Sequence, residues 1–258
     1  MAALNFWPFD RRTSRRPLLI AGANAMFALN QALATAFSKL QPDTDVVVES
    51  GGSLSALIAL KRGSVDVAAM DRDLKASEEE AGLKSYLVAR NGVGIVVHPD
   101  CRLLSLQATQ VRALLAGEVR NWAQVGGPHA AVQVVSRTRG STGRQFVEDV
   151  ILAGGDISAT ALQCDSAAKL LQTVAATPYA IGFISLKDKL GTLAVAHLQV
   201  DGVEARRETL LSGRYPFTQS LYLVTLAEQK NAAPDFVDFV RSKDGQAIVD
   251  AANLVGTY

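Results

Sequence analysis

Between Leu18 and Asp73 the chain carries three short apolar runs, each closing on a loop of small or polar residues, with helical segments between them. Leu18 to Ala21 ends at Gly22-Ala23-Asn24. Met26, Phe27, Leu29, Leu33, Ala36, Phe37 and Leu40 then recur at helical spacing until Pro42 stops them. Val46-Val47-Val48 closes on Ser50-Gly51-Gly52-Ser53, and Leu54, Leu57, Ile58 and Leu60 mark a helix ended by Gly63. Val65, Val67 and Ala69 form the third run, ending on Met70-Asp71-Arg72-Asp73. Strands alternating with helices in this way require a parallel α/β sheet, because the crossover between two parallel strands must pass over a face of the sheet. Ligands of such sheets sit beyond the carboxyl ends of the strands. Asn24, Ser53 and Asp71 are expected to gather there.

A second stretch, VQVVSRTRGSTGRQF from Val132 to Phe146, reads as strand, loop and helix N-terminus. The first N–H groups of a helix lack partners within it, and the macrodipole adds partial positive charge, so an oxyanion fits there. Arg137 supplies a planar fork of donors, Ser141 and Thr142 two hydroxyls, and Gly140 and Gly143 allow close backbone approach. The plainer reading makes Ser141 a helix cap and leaves the arginines solvated.

Further on, the acidic run Ser77 to Glu80 reads as the cap of a solvated surface helix. Val93 to Val97 is an apolar strand long enough to cross between lobes, and His98 at its end reads as a turn residue rather than a catalytic one. Leu106 to Ala116 reads as an amphipathic helix, Asn121 to Pro128 as a turn-rich connector, and Ser166 to Ala176 as a helix. Ala180 to Leu186 reads as a buried strand, Leu198 to Val203 and Tyr222 to Thr225 as further strands, and Ala233 to Val240 and Gly245 to Ala252 as closing helices.

At 258 residues and 48% hydrophobic content the chain can bury one large or two medium cores. A formal net charge of +1 speaks against a nucleic-acid binder, which would carry a clear basic excess. Cys101 and Cys164 lack CxxC spacing and a histidine cluster, which argues against a metal site; they are either a pair or two buried thiols. No apolar run approaches the roughly 20 residues of a membrane span. Arg11, Arg12, Arg15 and Arg16 precede an apolar run broken at once by Gly22-Ala23-Asn24, so the start does not read as an export signal. Residues 1–16 read as a mobile arm.

Taken in order, LLIAGANAMF, the Gly51-Gly52-Ser53 loop, GSVDVAAMDRDL, GVGIVVHP, LLAGEVRNWAQVGG, VVSRTRGSTGRQF, YAIGFISL, VDGVEARRETLLSGRYPFTQSLYLVT and FVRSKDGQAIV resemble the PstS-like phosphate-binding proteins of ABC transporters, from about Pro17 to the C-terminus. The resemblance implies an α/β, two-lobed periplasmic-binding-protein fold of type II. Each lobe is expected to hold a mostly parallel sheet flanked by helices, with a ligand cleft between the lobes. One lobe would comprise residues 17–92 and 194–258, the other 93–193, with chain crossings near Gly92 to Val97 and Phe183 to Leu193.

The ligand groups implied by the family are Asn24, Ala25, Ser53, Asp71, Arg137, Gly140, Ser141, Thr142 and Gly143. Asp71 is the carboxylate that would accept the remaining proton of HPO₄²⁻ while repelling sulfate. Ala23 and Ala25 stand where the family usually has Ser or Thr, the second hydroxyl of the Gly140–Gly143 turn is displaced by one position, and Arg139 replaces an acid that some relatives carry.

The function this implies is capture of phosphate or a related tetrahedral oxyanion for ABC-type uptake, with no catalysis and no cofactor. The partners would be the anion and an ABC permease or membrane sensor, not nucleic acid, and the protein would be a periplasmic or otherwise extracytoplasmic monomer. The alternative is a diverged sensory module that acts through a protein partner. A hydrolase using Ser141 fails, because His98, His129 and His197 occupy no plausible triad position.

Overall fold

The computed structural model describes residues 16–79, 82–186 and 193–257. The arm expected over residues 1–16 lies outside these apart from Arg16. In chain order the elements are β1 (Leu18–Gly22), α1 (Phe27–Leu40), β2 (Val46–Ser50), α2 (Ser53–Lys61), β3 (Val67–Met70), β4 (Leu83–Val97), β5 (Ser105–Leu106), α3 (Ala108–Ala116), β6 (Gln133–Arg137) and α4 (Thr142–Phe146). They continue with β7 (Leu162–Cys164), α5 (Ala167–Ala176), β8 (Ala180–Ser185), β9 (Ala196–Val200), α6 (Arg207–Leu211), β10 (Thr218–Leu226), α7 (Ala233–Arg241), α8 (Lys243–Ala251) and β11 (Val255–Gly256). Helix α4 runs on into a wider π turn over Val147–Ile151.

The chain divides into two compact units, one of residues 1–86 and 223–245, the other of residues 87–222 and 246–258. These divisions fall within β4, β10 and α8 rather than near Gly92 to Val97 and Phe183 to Leu193; residues 187–192 of the second expected crossing lie outside the described residues. Residues 194–222, expected with the first lobe, pack in the second unit for a clear reason. Strand β9 pairs antiparallel with β4, Ile95 opposite Leu198, and Leu210, Tyr215 and Phe217 are buried in the same core as Ile95 and Trp122.

In the first unit β1 lies between β2 and β3, parallel to both, with Gly22 aligned to Ser50 on one side and to Ala69 on the other. All four residues of β3 are buried, as a strand covered on both faces must be. Leu29, Leu33 and Phe37 form the buried stripe of α1, and Phe37 meets Phe236 of α7 edge to face at 5.3 Å between ring centroids.

In the second unit the sheet is mixed. Strand β8 pairs antiparallel with β4 and parallel with β6, which in turn pairs parallel with β7. Alternate residues enter different cores: Ile95, Ile181, Phe183 and Val134 pack on one face, and Val96, Ala180, Ile184 and Val135 on the other. That two-sided burial is why these strands read as unbroken apolar runs. Trp122, in the segment read as a connector, is fully buried and donates its indole N–H to the Tyr179 carbonyl at 2.9 Å. Cys101 and Cys164 are both buried free thiols, one in each of these cores. Burial pushes the Cys101 thiol up to about 12, so it stays protonated.

The run Ser77 to Glu80 does not start a surface helix. Residues 76–78 form a turn in which Glu78 is only 9% exposed, because its carboxylate folds inward onto Arg72 and the Lys75 N–H. Glu80 lies outside the described residues.

Gly22 is where the first sheet tolerates no side chain. A Cβ there would overlap the carbonyl oxygen and Cβ of Ala69, and backbone cannot move aside cheaply. Gly22→Ala is expected to destabilise the protein by about 1–3 kcal/mol, read as a lower urea midpoint at unchanged m-value.

Candidate functional site

Three carboxyl ends of adjacent parallel strands meet in the first unit, as the alternating pattern predicts. The Gly22 carbonyl accepts from the N–H groups of both Gly51 and Gly52 at 2.9 and 3.0 Å, and the Ala23 N–H donates to the Ala69 carbonyl at 2.9 Å. Gly52 has φ +86°, a backbone conformation that the crowding of a Cβ disfavours, and it turns the chain into the first residue of α2. That residue is Ser53, which is 8% exposed. Its hydroxyl donates to Asp71 Oδ1 at 2.5 Å and accepts from the Asp71 N–H at 3.1 Å. Ser53 and Asp71 are therefore one hydrogen-bonded pair, not two independent residues. Asn24 and Ala25 are exposed on the short 3₁₀ turn that follows β1.

Arg72, a conceivable partner for Asp71, is engaged elsewhere. Its guanidinium forms a bidentate pair with Glu78, Nη1 to Oε2 at 2.7 Å and Nη2 to Oε1 at 2.8 Å. Hydrogen bonding from Arg72, then from the Lys75 N–H, holds the Glu78 carboxyl down at about 2.

In the second unit Arg137 ends β6. Its Nη2 donates to the Asp165 carbonyl at 2.9 Å, while its buried Nε has no hydrogen-bond partner among the described residues. The turn beyond it has Gly140 at φ +84°. Ser141 sits at the helix N-cap position but does not cap: its hydroxyl donates backward to the Thr138 carbonyl at 2.9 Å. The first-turn N–H groups of α4 thus receive nothing from that side chain, which removes the plainer reading of Ser141. Thr142 is exposed and Gly143 half-buried. Arg139 is exposed as well.

Arg144 was not among the candidate site residues, yet it is only 4% exposed and anchors this loop. It pairs with Glu148 at 2.8 Å and donates to the Arg137 carbonyl at 3.2 Å, fixing the backbone of the residue that presents the cationic fork. The i,i+4 spacing of Arg144 and Glu148 on a helix was the available signal. Glu78 offered no comparable signal, since it lies six positions beyond Arg72 along irregular chain. His98 caps the short 3₁₀ turn after β4 through Nδ1, accepting from the Asp100 N–H at 3.2 Å, as a turn residue should.

The first unit also has a polar hollow lined by Arg16, Asp43, Asp66, Lys230 and Asp235. It lies by the amino ends of β1 and β3, where Asp66 accepts from the Leu19 N–H at 2.8 Å, away from the strand ends that carry Ser53 and Asp71. Among the described residues no group of three or more His, Cys, Asp or Glu side chains could hold a metal ion.

A domain profile described as the PBP superfamily domain matches residues 10–244, most of the chain. The chain belongs to the PBP superfamily. This PBP-superfamily chain is 29% identical over 233 residues to the phosphate-binding protein PstS of Bacillus subtilis, a match covering 89% of this chain and 76% of that one. A phosphate ABC transporter substrate-binding protein from Clostridium perfringens, solved with bound phosphate, is 27% identical at a TM-score of 0.56 and covers 94% of this chain and 100% of its own. The fold is shared more closely with PstS from Borrelia burgdorferi, at a TM-score of 0.79 and 24% identity over 94% of this chain and 99% of that one. The α/β, two-lobed periplasmic-binding-protein fold expected from the sequence is the fold of these neighbours.

The depressed Glu78 carboxyl ties part of the stability of the loop after β3 to its ionisation. A carboxylate held low when folded contributes stability in full above its unfolded value near 4.5 and loses it as pH falls through about 2. Carboxyl-carbon NMR is expected to show a Glu78 midpoint near 2, rising toward the ordinary glutamate range in Arg72→Ala, where the Lys75 N–H still holds it down in part.

Proposed function

We propose that this chain is a non-enzymatic solute-binding protein that captures phosphate, or a closely related tetrahedral oxyanion, for uptake by an ABC-type transporter. The observation that carries the reading is Arg137, a cation at a strand end with a buried donor that no described protein acceptor satisfies. Buried donors are almost always paired, so this one points to an acceptor supplied by a ligand. The adjacent Gly140–Gly143 turn, with first-turn N–H groups that Ser141 leaves uncapped, has the same chemical preference.

The residues proposed to contact the anion are Asn24, Ala25, Ser53, Asp71, Arg137, Gly140, Ser141, Thr142 and Gly143. Asp71 supplies the discrimination. A carboxylate already bridged to a serine hydroxyl accepts a hydrogen bond from monohydrogen phosphate, whereas sulfate at neutral pH presents bare oxygens to it. The relatives named phosphate-binding proteins, one solved with phosphate, support this choice of anion.

The partners in this reading are an ABC permease or membrane sensor, and the site of action is periplasmic or otherwise extracytoplasmic. No described helix is long and apolar enough to cross a membrane.

Arg137→Ala is expected to weaken phosphate binding by about a hundredfold or more, because a buried anion loses its strongest counter-charge. Calorimetry that leaves the variant within about tenfold of the parent would place the anion elsewhere. Asp71→Asn is expected to relieve sulfate more than it harms phosphate, narrowing the preference between them. Parallel titrations of both proteins with both anions decide it, and an unchanged ratio would remove Asp71 from the recognition of phosphate.

A further inference from the structure

The Arg137 guanidinium is steadied by a neutral acceptor, the Asp165 carbonyl, which takes a hydrogen bond from Nη2 at 2.9 Å. A carboxylate in that place would aim the fork and cancel its charge at once. A carbonyl aims it and leaves the cation whole for an anion. A long side chain held in this way points only as reliably as the carbonyl itself is fixed.

Asp165 joins β7 to α5 and lies between two anchored residues. On one side Cys164 ends β7 aligned with Arg137 across the β6–β7 ladder, and its carbonyl accepts from the Thr138 N–H at 3.0 Å. On the other side Ser166 is the N-cap of α5. Its hydroxyl accepts from the Lys169 N–H at 3.2 Å, and its carbonyl accepts from the Leu170 N–H at 3.0 Å. Helix α5 is in turn held down by Leu170, Leu171 and Val174, all buried. The Asp165 carbonyl belongs to the peptide plane on the amino side of Ser166, so the backbone angles of the cap residue, φ −138° and ψ 158°, set how that oxygen is carried relative to the helix.

We propose that Ser166 is a positioning residue for anion binding: by capping α5 it fixes the Asp165 carbonyl, and that carbonyl aims the Arg137 fork. This inference rests on the phosphate reading above. Without the cap the first turn of α5 frays, the carbonyl moves, and the anion must order the arginine when it binds instead of finding it ready. A cap with no part in recognition would change the stability of the fold and leave the affinity of the folded protein as it was.

The test is calorimetry of the full chain with inorganic phosphate, at neutral pH, fixed ionic strength and a temperature well below unfolding, beside urea unfolding of the same variants. Ser166 is exposed, so Ser166→Ala removes the cap without leaving a cavity. It is expected to weaken phosphate about three- to tenfold, while Ser166→Thr, which can cap through the same bond, stays within about twofold of the parent. In an Arg137→Lys background, where the charge remains but no fork reaches the carbonyl, Ser166→Ala is expected to change the affinity by less than about twofold. An equal loss in both backgrounds, or a loss that Ser166→Thr shares, overturns the proposal. A parent that binds phosphate while Ser166→Ala lowers only the urea midpoint retires this inference alone. A parent that binds no phosphate retires the phosphate reading and this inference with it.

Discussion

What the first unit can offer a ligand depends on the close approach of β1 to β3 at Gly22. Because no side chain stands between Gly22 and Ala69, the two parallel strands remain paired to their carboxyl ends. The Gly22 carbonyl is then available to gather the Gly51 and Gly52 amides, and the chain enters α2 with Ser53 aimed at Asp71. A serine and an aspartate eighteen residues apart thus become a single donor and acceptor unit. Their juxtaposition follows from backbone pairing, and neither residue type would produce it alone.

Charge in this protein is arranged locally rather than in bulk. The formal excess is one positive charge, yet Arg72 in the first unit and Arg137 and Arg144 in the second have distinct assignments. Arg72 is held by Glu78, Arg144 is held by Glu148 and braces the Arg137 carbonyl, and Arg137 keeps a buried nitrogen without a described protein acceptor. Paired arginines define where the backbone goes, and the one with unspent donor capacity defines where an anion would be favoured. Removing one partner of a buried ion pair commonly costs about 3–5 kcal/mol, since it strands the other charge. Arg144 thereby fixes the backbone from which Arg137 projects.

Much of this was legible from the chain because period and punctuation are local properties. Apolar spacing with Pro42, Gly63 and the polar loops located β1 to β3 and the helices between them, and the carboxyl-end rule placed Asn24, Ser53 and Asp71 at one edge of the sheet. The acidic run at Ser77 misled for a physical reason. Consecutive acids look solvated when counted as composition, but a carboxylate with two guanidinium donors and a backbone N–H is stable indoors, and those donors become visible only once the turn is folded.

The sequence by itself determined the α/β class, the succession of strands and helices, and the residue types suited to an oxyanion, since each depends on neighbours within one or two turns of chain. Tertiary structure alone decided that residues 194–222 join the second unit through the pairing of β9 with β4, that Ser141 bonds backward instead of capping α4, and that Arg72 faces Glu78. Those outcomes turn on which donor reaches which acceptor across the fold. A buried hydrogen bond goes to the partner that packing brings within about 3 Å, and that distance is not written in the spacing of residues along the chain.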